Sequence, residues 1–147
     1  MRNIKCETFD PEYAVFGSCE LAPNLENSPT LSIVIRLLKI PLTNLNLRIT
    51  VGLAGPQALT VVNSTFDICA FLKSRKSNKA VGRLYQYIAP YTNLNHRCPY
   101  KHDIHIQNLS LTQNESFLSM IHGEIVTQIE AIVDGKKRVT IEIRSGY

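Results

Sequence analysis

The fold is decided by residues 124–144, which read EIVTQIEAIVDGKKRVTIEIR. In an extended chain, Ile125, Ile129 and Val133 fall on one face. Asp134 and Gly135 then form a strong tight-turn dipeptide, because both residue types tolerate positive φ. After the turn, apolar residues at 139, 141 and 143 alternate with polar ones, which is typical of a half-buried strand. The stretch therefore predicts an antiparallel hairpin in a β-rich chain.

The same period of two recurs earlier in the chain. Residues 31–37 (LSIVIRL) and 44–51 (NLNLRITV) alternate clearly, and Pro41 lies between them, where it interrupts no central ladder. Residues 13–21 and 58–65 alternate more weakly. Residues 52–57 contain two glycines and a proline, so we expect a turn there.

Between residues 67 and 91 the apolar spacing becomes helical. Ile68 is followed by Leu72, and a second run follows at 81, 84, 85 and 88. Asp67 is positioned to cap a first short helix, and Pro90 to end a second one. The sequence thus predicts a mostly β fold of about eight strands with a short helical insertion near residues 67–91. A single domain spanning residues 1–147 fits this length.

Four cysteines, Cys6, Cys19, Cys69 and Cys98, are separated by 13, 50 and 29 residues. Zinc sites place ligand pairs two to four residues apart, so this spacing does not indicate a metal site. Four cysteines allow three disulfide connectivities, and the sequence alone does not choose among them. We favour Cys6–Cys19 and Cys69–Cys98, because the first pair would staple a hairpin between neighbouring strands. We expect no metal and no other cofactor.

Three glycosylation sequons begin at Asn63, Asn108 and Asn114. Together with an even set of cysteines, they indicate the secretory pathway and an extracellular location. Residues 1–6 read as running directly into the first expected strand, so we expect no signal peptide in this chain and interpret it as a mature or truncated sequence. No segment approaches the length of a transmembrane helix.

Sequence motifs of catalysis are absent. His102 and His105 flank Asp103, but residues 103–106 alternate as a strand, so side chains three positions apart should point to opposite faces. The chain contains no nucleophile elbow, phosphate-binding glycine loop or zinc-protease motif. Its net charge of +4 is mild and its basic residues look scattered, the densest run being a solvated hairpin end at 136–138. We therefore expect no nucleic-acid partner.

Three segments carry a resemblance to a known family: residues 37–44 (LLKIPLTN), 63–72 (NSTFDICAFL) and 93–100 (NLNHRCPY). They resemble a large insect family of small secreted proteins classed as a domain of unknown function, which includes the CheB-type proteins of gustatory hairs. That family is similar in turn to the ML lipid-recognition superfamily, with the ganglioside activator and the Niemann–Pick type C sterol carrier as relatives. The resemblance covers nearly the whole chain from Ile4 onward.

The resemblance implies an immunoglobulin-like β-sandwich or cup whose sheets admit an acyl chain, a sterol or a similar ligand. It also implies a Cys69–Cys98 bridge and a glycan at Asn63. The family offers no catalytic set to carry over, which, with the missing motifs, predicts that the protein is not an enzyme. The chain departs from the family pattern between Gly52 and Val62, where residues 58–62 (ALTVV) replace a more aromatic run.

We therefore predict a secreted, non-catalytic, monomeric protein that holds a lipid or other small apolar ligand between two β-sheets, with a role in chemosensation such as pheromone detection. The alternative is a secreted interaction module that acts on a receptor or channel without a cavity ligand. Residues 117–121 are the best candidate for the cavity mouth. The same side chains would also serve an ordinary solid core. The candidate lining residues are Ile33, Ile35, Leu37, Leu47, Ile49, Phe71, Leu84, Ile88, Phe117, Met120, Ile129 and Ile141.

Overall fold

A computed structural model of the chain describes residues 3–22, 29–53, 59–110 and 124–145. Eight strands and a helical insertion after the fifth strand are present, so the predicted mostly β fold is confirmed. The strands are β1 (Asn3–Thr8), β2 (Ala14–Ala22), β3 (Thr30–Leu37), β4 (Asn46–Leu53), β5 (Leu59–Asp67), β6 (Ile104–Ser110), β7 (Ile125–Val133) and β8 (Lys136–Ser145). The helices are α1 (Ile68–Lys73) and α2 (Lys79–Ile88), with 3₁₀ turns at Arg75–Ser77 and Ala89–Tyr91.

The strands form two antiparallel sheets. A wide sheet has the order β1-β8-β7-β4-β5, and a narrow sheet has the order β2-β3-β6. The predicted C-terminal hairpin is confirmed: β7 and β8 pair directly, and Asp134 and Gly135 take φ values of 53° and 74° in the turn. Because β7 also pairs with β4, the hairpin forms the middle of the wide sheet.

The end of β4 differs from the prediction. Gly52 was expected to open a turn, but it lies inside β4, which continues to Leu53. Both residues pair with β7, opposite Val126 and Ile125, so the ladder to a central strand carries β4 past the glycine. The remainder of the predicted turn, residues 54–57, lies outside the described residues.

The buried apolar side chains of the described residues, apart from Ile125, fall into two clusters. The helix-side cluster comprises Tyr13, Ala14, Leu42, Leu45, Phe71, Leu72, Val81, Tyr100, Ile104, Val133 and Val139. The sheet cluster comprises Leu31, Ile33, Leu109, Ile141 and Ile143. The half-buried side chains of Phe16 and Ile35 pack against both clusters and connect them.

The helical insertion begins and ends as the sequence predicts. The Asp67 side chain accepts a hydrogen bond from the Ala70 N–H at 3.0 Å, which caps α1. Asn78 caps α2, because its side-chain oxygen accepts hydrogen bonds from the Ala80 N–H at 3.1 Å and from the Val81 N–H at 3.2 Å. Pro90 lies in the 3₁₀ turn that follows α2.

Both favoured disulfides are present. Cys6–Cys19 does not staple a hairpin, however, because β1 pairs with β8 and β2 pairs with β3. This bridge instead joins the wide sheet to the narrow sheet, with the two Cα atoms 6.3 Å apart, and we call it the inter-sheet bridge. The Cys69–Cys98 bridge ties α1 to the loop that precedes β6.

Candidate functional site

The space between the two sheets is the first candidate site. On one side, β2 packs over β1 and β8, so the narrow sheet covers that part of the wide sheet. On the other side, α1 packs against β4 and β5. The wide sheet is therefore covered by β2 near β1 and β8, and by α1 near β4 and β5.

The inner face of β4 is apolar, and among the described residues part of it lies outside the two buried clusters. Ile49 pairs directly with Ile129, which packs against the sheet cluster, and paired residues of an antiparallel ladder share a face. Leu47 and Val51 share that face by alternation. Leu47 packs against the helix-side cluster, whereas Ile49 and Val51 are half-buried and, within the part of the chain that the structure describes, join neither buried cluster.

Most of the predicted lining residues lie in this interior. Three of them, Ile33, Phe71 and Ile141, are buried in the two clusters. Five more are half-buried against a cluster: Ile35, Leu37, Leu47, Ile88 and Ile129. Ile49 lies on the inner face of β4 and is half-buried, while Phe117 and Met120, together with the predicted mouth at 117–121, fall outside the described residues.

Leu84 does not line the interior, because 43% of its surface is exposed. The residues of α2 that pack against the buried clusters are Val81, Tyr85, Tyr87 and Ile88. Tyr85 takes the position one turn after Val81. Its ring packs edge-on against Phe71 with the ring centres 5.5 Å apart, and its hydroxyl donates to the carbonyl oxygen of residue 94 at 2.9 Å. Leu84 is left at the edge of the apolar stripe.

The loop before β6 is anchored by Tyr100, which is completely buried. Its backbone pairs with that of Leu42 through N–H···O bonds of 2.8 and 2.9 Å. The Tyr100 hydroxyl donates to the His96 carbonyl oxygen at 2.6 Å. Burial raises the pKa of Tyr100 to about 12, so the phenol stays neutral at physiological pH and acts as a packed hydrogen-bond donor.

The described histidines lie in the loop before β6 and in β6 itself. His102 is exposed and meets His96, with their Nε2 atoms 2.9 Å apart. His105 is half-buried in β6, and within the described residues its Nδ1 atom is buried without a hydrogen-bond partner. Sequence reasoning missed the His96–His102 pair because the loop, and not a strand or helix period, brings the rings together. Across the described segments, no three His, Cys, Asp or Glu side chains are grouped to hold a metal ion.

A second concave site lies on the outer face of α2. It is a groove of about 430 Å³ that we call the basic groove, lined by Arg75, Lys76, Lys79, Gly82, Arg83 and Gln86. The Arg75 guanidinium lies 5.1 Å from the centre of the Tyr85 ring, in the range of a cation–π contact. The side chains of Arg75, Lys76, Lys79 and Arg83 are all exposed.

The sequence contained a signal for this groove that a search for consecutive charges misses. Residues 68–102 carry seven of the 16 basic residues of the chain and none of its 12 acidic residues. The basic residues are thus segregated and not scattered. Because they are spaced along helical turns, they form no run, and the absence of acidic residues was the informative feature.

Two of the three predicted glycan acceptors lie in the described residues, and both are exposed. The Asn63 side chain, on β5, accepts a hydrogen bond from Arg48 Nε at 3.2 Å. Asn108, in β6, has a φ of 61°. Asn114 lies outside the described residues. In the described part of the chain, no helix combines the length and apolar character needed to cross a membrane.

Comparison with known proteins returns one family. A family model described as "Protein of unknown function (DUF1091)" matches residues 43–124, which is more than half of the chain. The matched span includes β4 to β6, both helices, the Cys69–Cys98 bridge and the basic groove. No curated protein matches the chain. The chain belongs to the DUF1091 family of proteins of unknown function.

Proposed function

We propose that the protein is a non-catalytic carrier that binds a lipid or another small apolar ligand between its two sheets. One observation carries the proposal: the inner face of β4 is apolar at Leu47, Ile49 and Val51, yet Ile49 and Val51 are only half-buried and belong to neither buried cluster among the described residues. Apolar side chains that face the interior of a sandwich are normally close-packed. An apolar ligand would complete their burial.

The covering elements suit such a role. Helix α1 packs against β4 and β5, and α2 packs its inward face against the buried clusters. Helices can shift as units more easily than strands can leave a hydrogen-bonded ladder. The resemblance to the ML lipid-recognition superfamily, which includes a ganglioside activator and a sterol carrier, supports the same ligand class. A chemosensory role, such as carrying a pheromone, follows from the likeness to the CheB-type proteins.

The proposal includes secretion and glycosylation. Two disulfides are compatible with an oxidising compartment, and the side chains of Asn63 and Asn108 are exposed where a glycan would attach. Protein secreted from insect cells should lose mass on treatment with an N-glycosidase, and Asn63→Gln should remove one glycan. An unchanged mass and four free thiols would contradict an extracellular origin.

The ligand proposal is tested by native mass spectrometry of the secreted protein, with extraction and identification of any bound lipid. Ile49→Trp should occupy part of the proposed ligand position beside β4 and reduce the bound fraction. Thr50→Trp is the matched control, because Thr50 is adjacent on the same strand and pairs with Asn63 and Gln128 on the opposite face. If the protein carries no lipid and also binds no member of a panel of fatty acids, sterols and cuticular hydrocarbons, the carrier function is wrong.

A second candidate is an interaction module for a receptor or channel. It is favoured by the β3–β4 loop, where Leu38 and Ile40 are 53% and 56% exposed. Large apolar side chains this exposed and this close in sequence are a common feature of contact surfaces. Replacing both with serine should abolish binding of the labelled protein to sensory cells and leave any bound lipid unchanged. Equal binding by the variant would exclude this loop as the contact.

A further inference from the structure

We propose that the basic groove binds a phosphate or sulfate monoester group. This site lies outside the interior between the sheets and does not depend on a ligand there. The groove has a volume of about 430 Å³, which is within the range of small-molecule sites. Such a volume holds the anionic group together with a small carrier such as glycerol or a sugar.

The electrostatics of the groove select an anion. Four cationic side chains, at positions 75, 76, 79 and 83, line one concave surface. Among the described residues, no acidic side chain forms an ion pair with any of them. Acidic residues are also absent from the whole segment 68–102. A concave surface of a single charge sign focuses the field and concentrates counter-ions of the opposite sign.

The positions of the cations match a compact oxyanion. Lys79 and Arg83 are four residues apart on α2, so they project from the same side of the helix. Arg75 approaches from the preceding 3₁₀ turn, and its contact with the Tyr85 ring limits the motion of its guanidinium. A guanidinium binds phosphate or sulfate through two parallel N–H···O bonds, whereas the lysines contribute point charges. The helix N-terminus is not needed for this argument, because the Asn78 side chain already caps it.

Gly82 provides an independent observation. Glycine inside a helix lowers helix stability relative to alanine. A Cβ at position 82 would meet only the Arg75 carbonyl oxygen at 3.7 Å, which is an ordinary contact, so packing does not require glycine here. Gly82 nevertheless lines the groove. We attribute the glycine to the open floor of the groove, which a methyl group would partly fill.

A merely solvated helix face does not account for these features. Lys79 and Arg83 form a like-charged pair at i and i+4, which destabilises a helix, and Gly82 lies between them. Both features reduce the stability of α2, and no acidic partner in the described part of the chain offsets the repulsion. A bound dianion would offset it. The anionic group can belong to a soluble metabolite or to a lipid headgroup, since the chemistry of recognition is the same.

The test uses delipidated full-length protein and two probes. Isothermal titration with glycerol 3-phosphate measures binding of the soluble form. Sedimentation with phosphatidylcholine vesicles, with and without phosphatidic acid, measures binding of the headgroup. Binding of either probe supports the site, and the pattern identifies the source of the anion. If neither probe binds, the proposal is wrong.

The variants separate the groove from the overall charge. Arg83→Gln and Lys79→Gln should each weaken binding by about two- to five-fold. Lys136→Gln is the control, because it removes one positive charge at the exposed hairpin turn, and Lys136 does not line the groove. Gly82→Ala should weaken binding while raising Tm by about 2–4 °C. Equal losses from Lys136→Gln and Arg83→Gln, or wild-type affinity in Gly82→Ala, would overturn the proposal.

Discussion

Removal of the Tyr100 hydroxyl should destabilise the fold by an amount that depends on pH. In Tyr100→Phe the ring remains in its buried position, and only the 2.6 Å hydrogen bond to the His96 carbonyl oxygen is lost. Losing one partner of such a bond costs about 1–1.5 kcal/mol. At pH 7 we therefore expect the free energy of unfolding to fall by this amount, which corresponds to a decrease in Tm of about 2–5 °C.

At high pH the difference should shrink and then reverse. The pKa of Tyr100 is raised by burial from 10.0 in the unfolded chain to about 12 in the folded protein, so the folded state holds the phenol proton more tightly. Below pH 10 the neutral Tyr100 phenol therefore makes its full contribution to the free energy of unfolding of the wild-type protein. This contribution is lost as the pH rises from 10 towards 12. At one unit above the unfolded pKa the loss is about 1.4 kcal/mol. Tyr100→Phe has no proton to lose here, so the two proteins should be about equally stable near pH 11.

The assay is urea unfolding of both proteins at pH 7, 9, 10 and 11. At each pH the difference between their free energies of unfolding is calculated. Tyr13, whose pKa burial also raises, is present in both proteins, so its effect cancels in this difference. Tyr91→Phe is the control, because Tyr91 is exposed. A difference that stays constant or widens between pH 7 and 11 would refute the argument.

Three further predictions concern the elements that hold the sites. Replacing Cys69 and Cys98 with serine opens a loop of 29 residues and should cost about 3.6 kcal/mol, roughly 0.7 kcal/mol more than loss of the inter-sheet bridge, whose loop is 13 residues. Asp67→Ala removes the cap of α1 and should cost about 1 kcal/mol. Arg138→Met breaks a partly buried ion pair with the loop after β1 and should cost about 1–3 kcal/mol, whereas Lys136→Met at the exposed turn should change stability by less than about 0.5 kcal/mol.

Urea unfolding checks all three. Equal costs for the two bridges would contradict the loop-length argument, and an unchanged Asp67→Ala would mean that solvent replaces the cap. If Arg138→Met and Lys136→Met were equally mild, the ion pair would contribute nothing measurable.

Local patterns predicted most of the fold because the strands of a two-layer protein are half-buried. The period of two at 31–37 and 44–51, and the turn dipeptide at 134–135, are direct consequences of having one face in the core. Local sequence patterns do not predict which strand pairs with β1. It pairs with β8 at the opposite end of the chain, so the inter-sheet bridge could be predicted as a pairing but not as a link between layers.

The sites were predicted less completely than the fold. Helical periodicity is compatible with either Leu84 or Tyr85 on the inward face of α2. Tyr85 takes that position, where its hydroxyl donates a hydrogen bond to the loop after α2. The basic groove depends on a 3₁₀ turn that brings Arg75 beside α2, which no residue pattern indicates. Only its composition, a long segment without acidic residues, was readable in advance.

The inter-sheet bridge has a mechanical consequence. Cys6 lies on β1 and Cys19 on β2, and each of these strands is the outermost of its sheet. The covalent link therefore acts as a hinge along one long side of the sandwich and prevents the layers from parting there. Any separation of the two sheets must therefore occur at the opposite side, between the edge strands β5 and β6. That side carries the helical insertion, and Cys69–Cys98 limits how far it can swing.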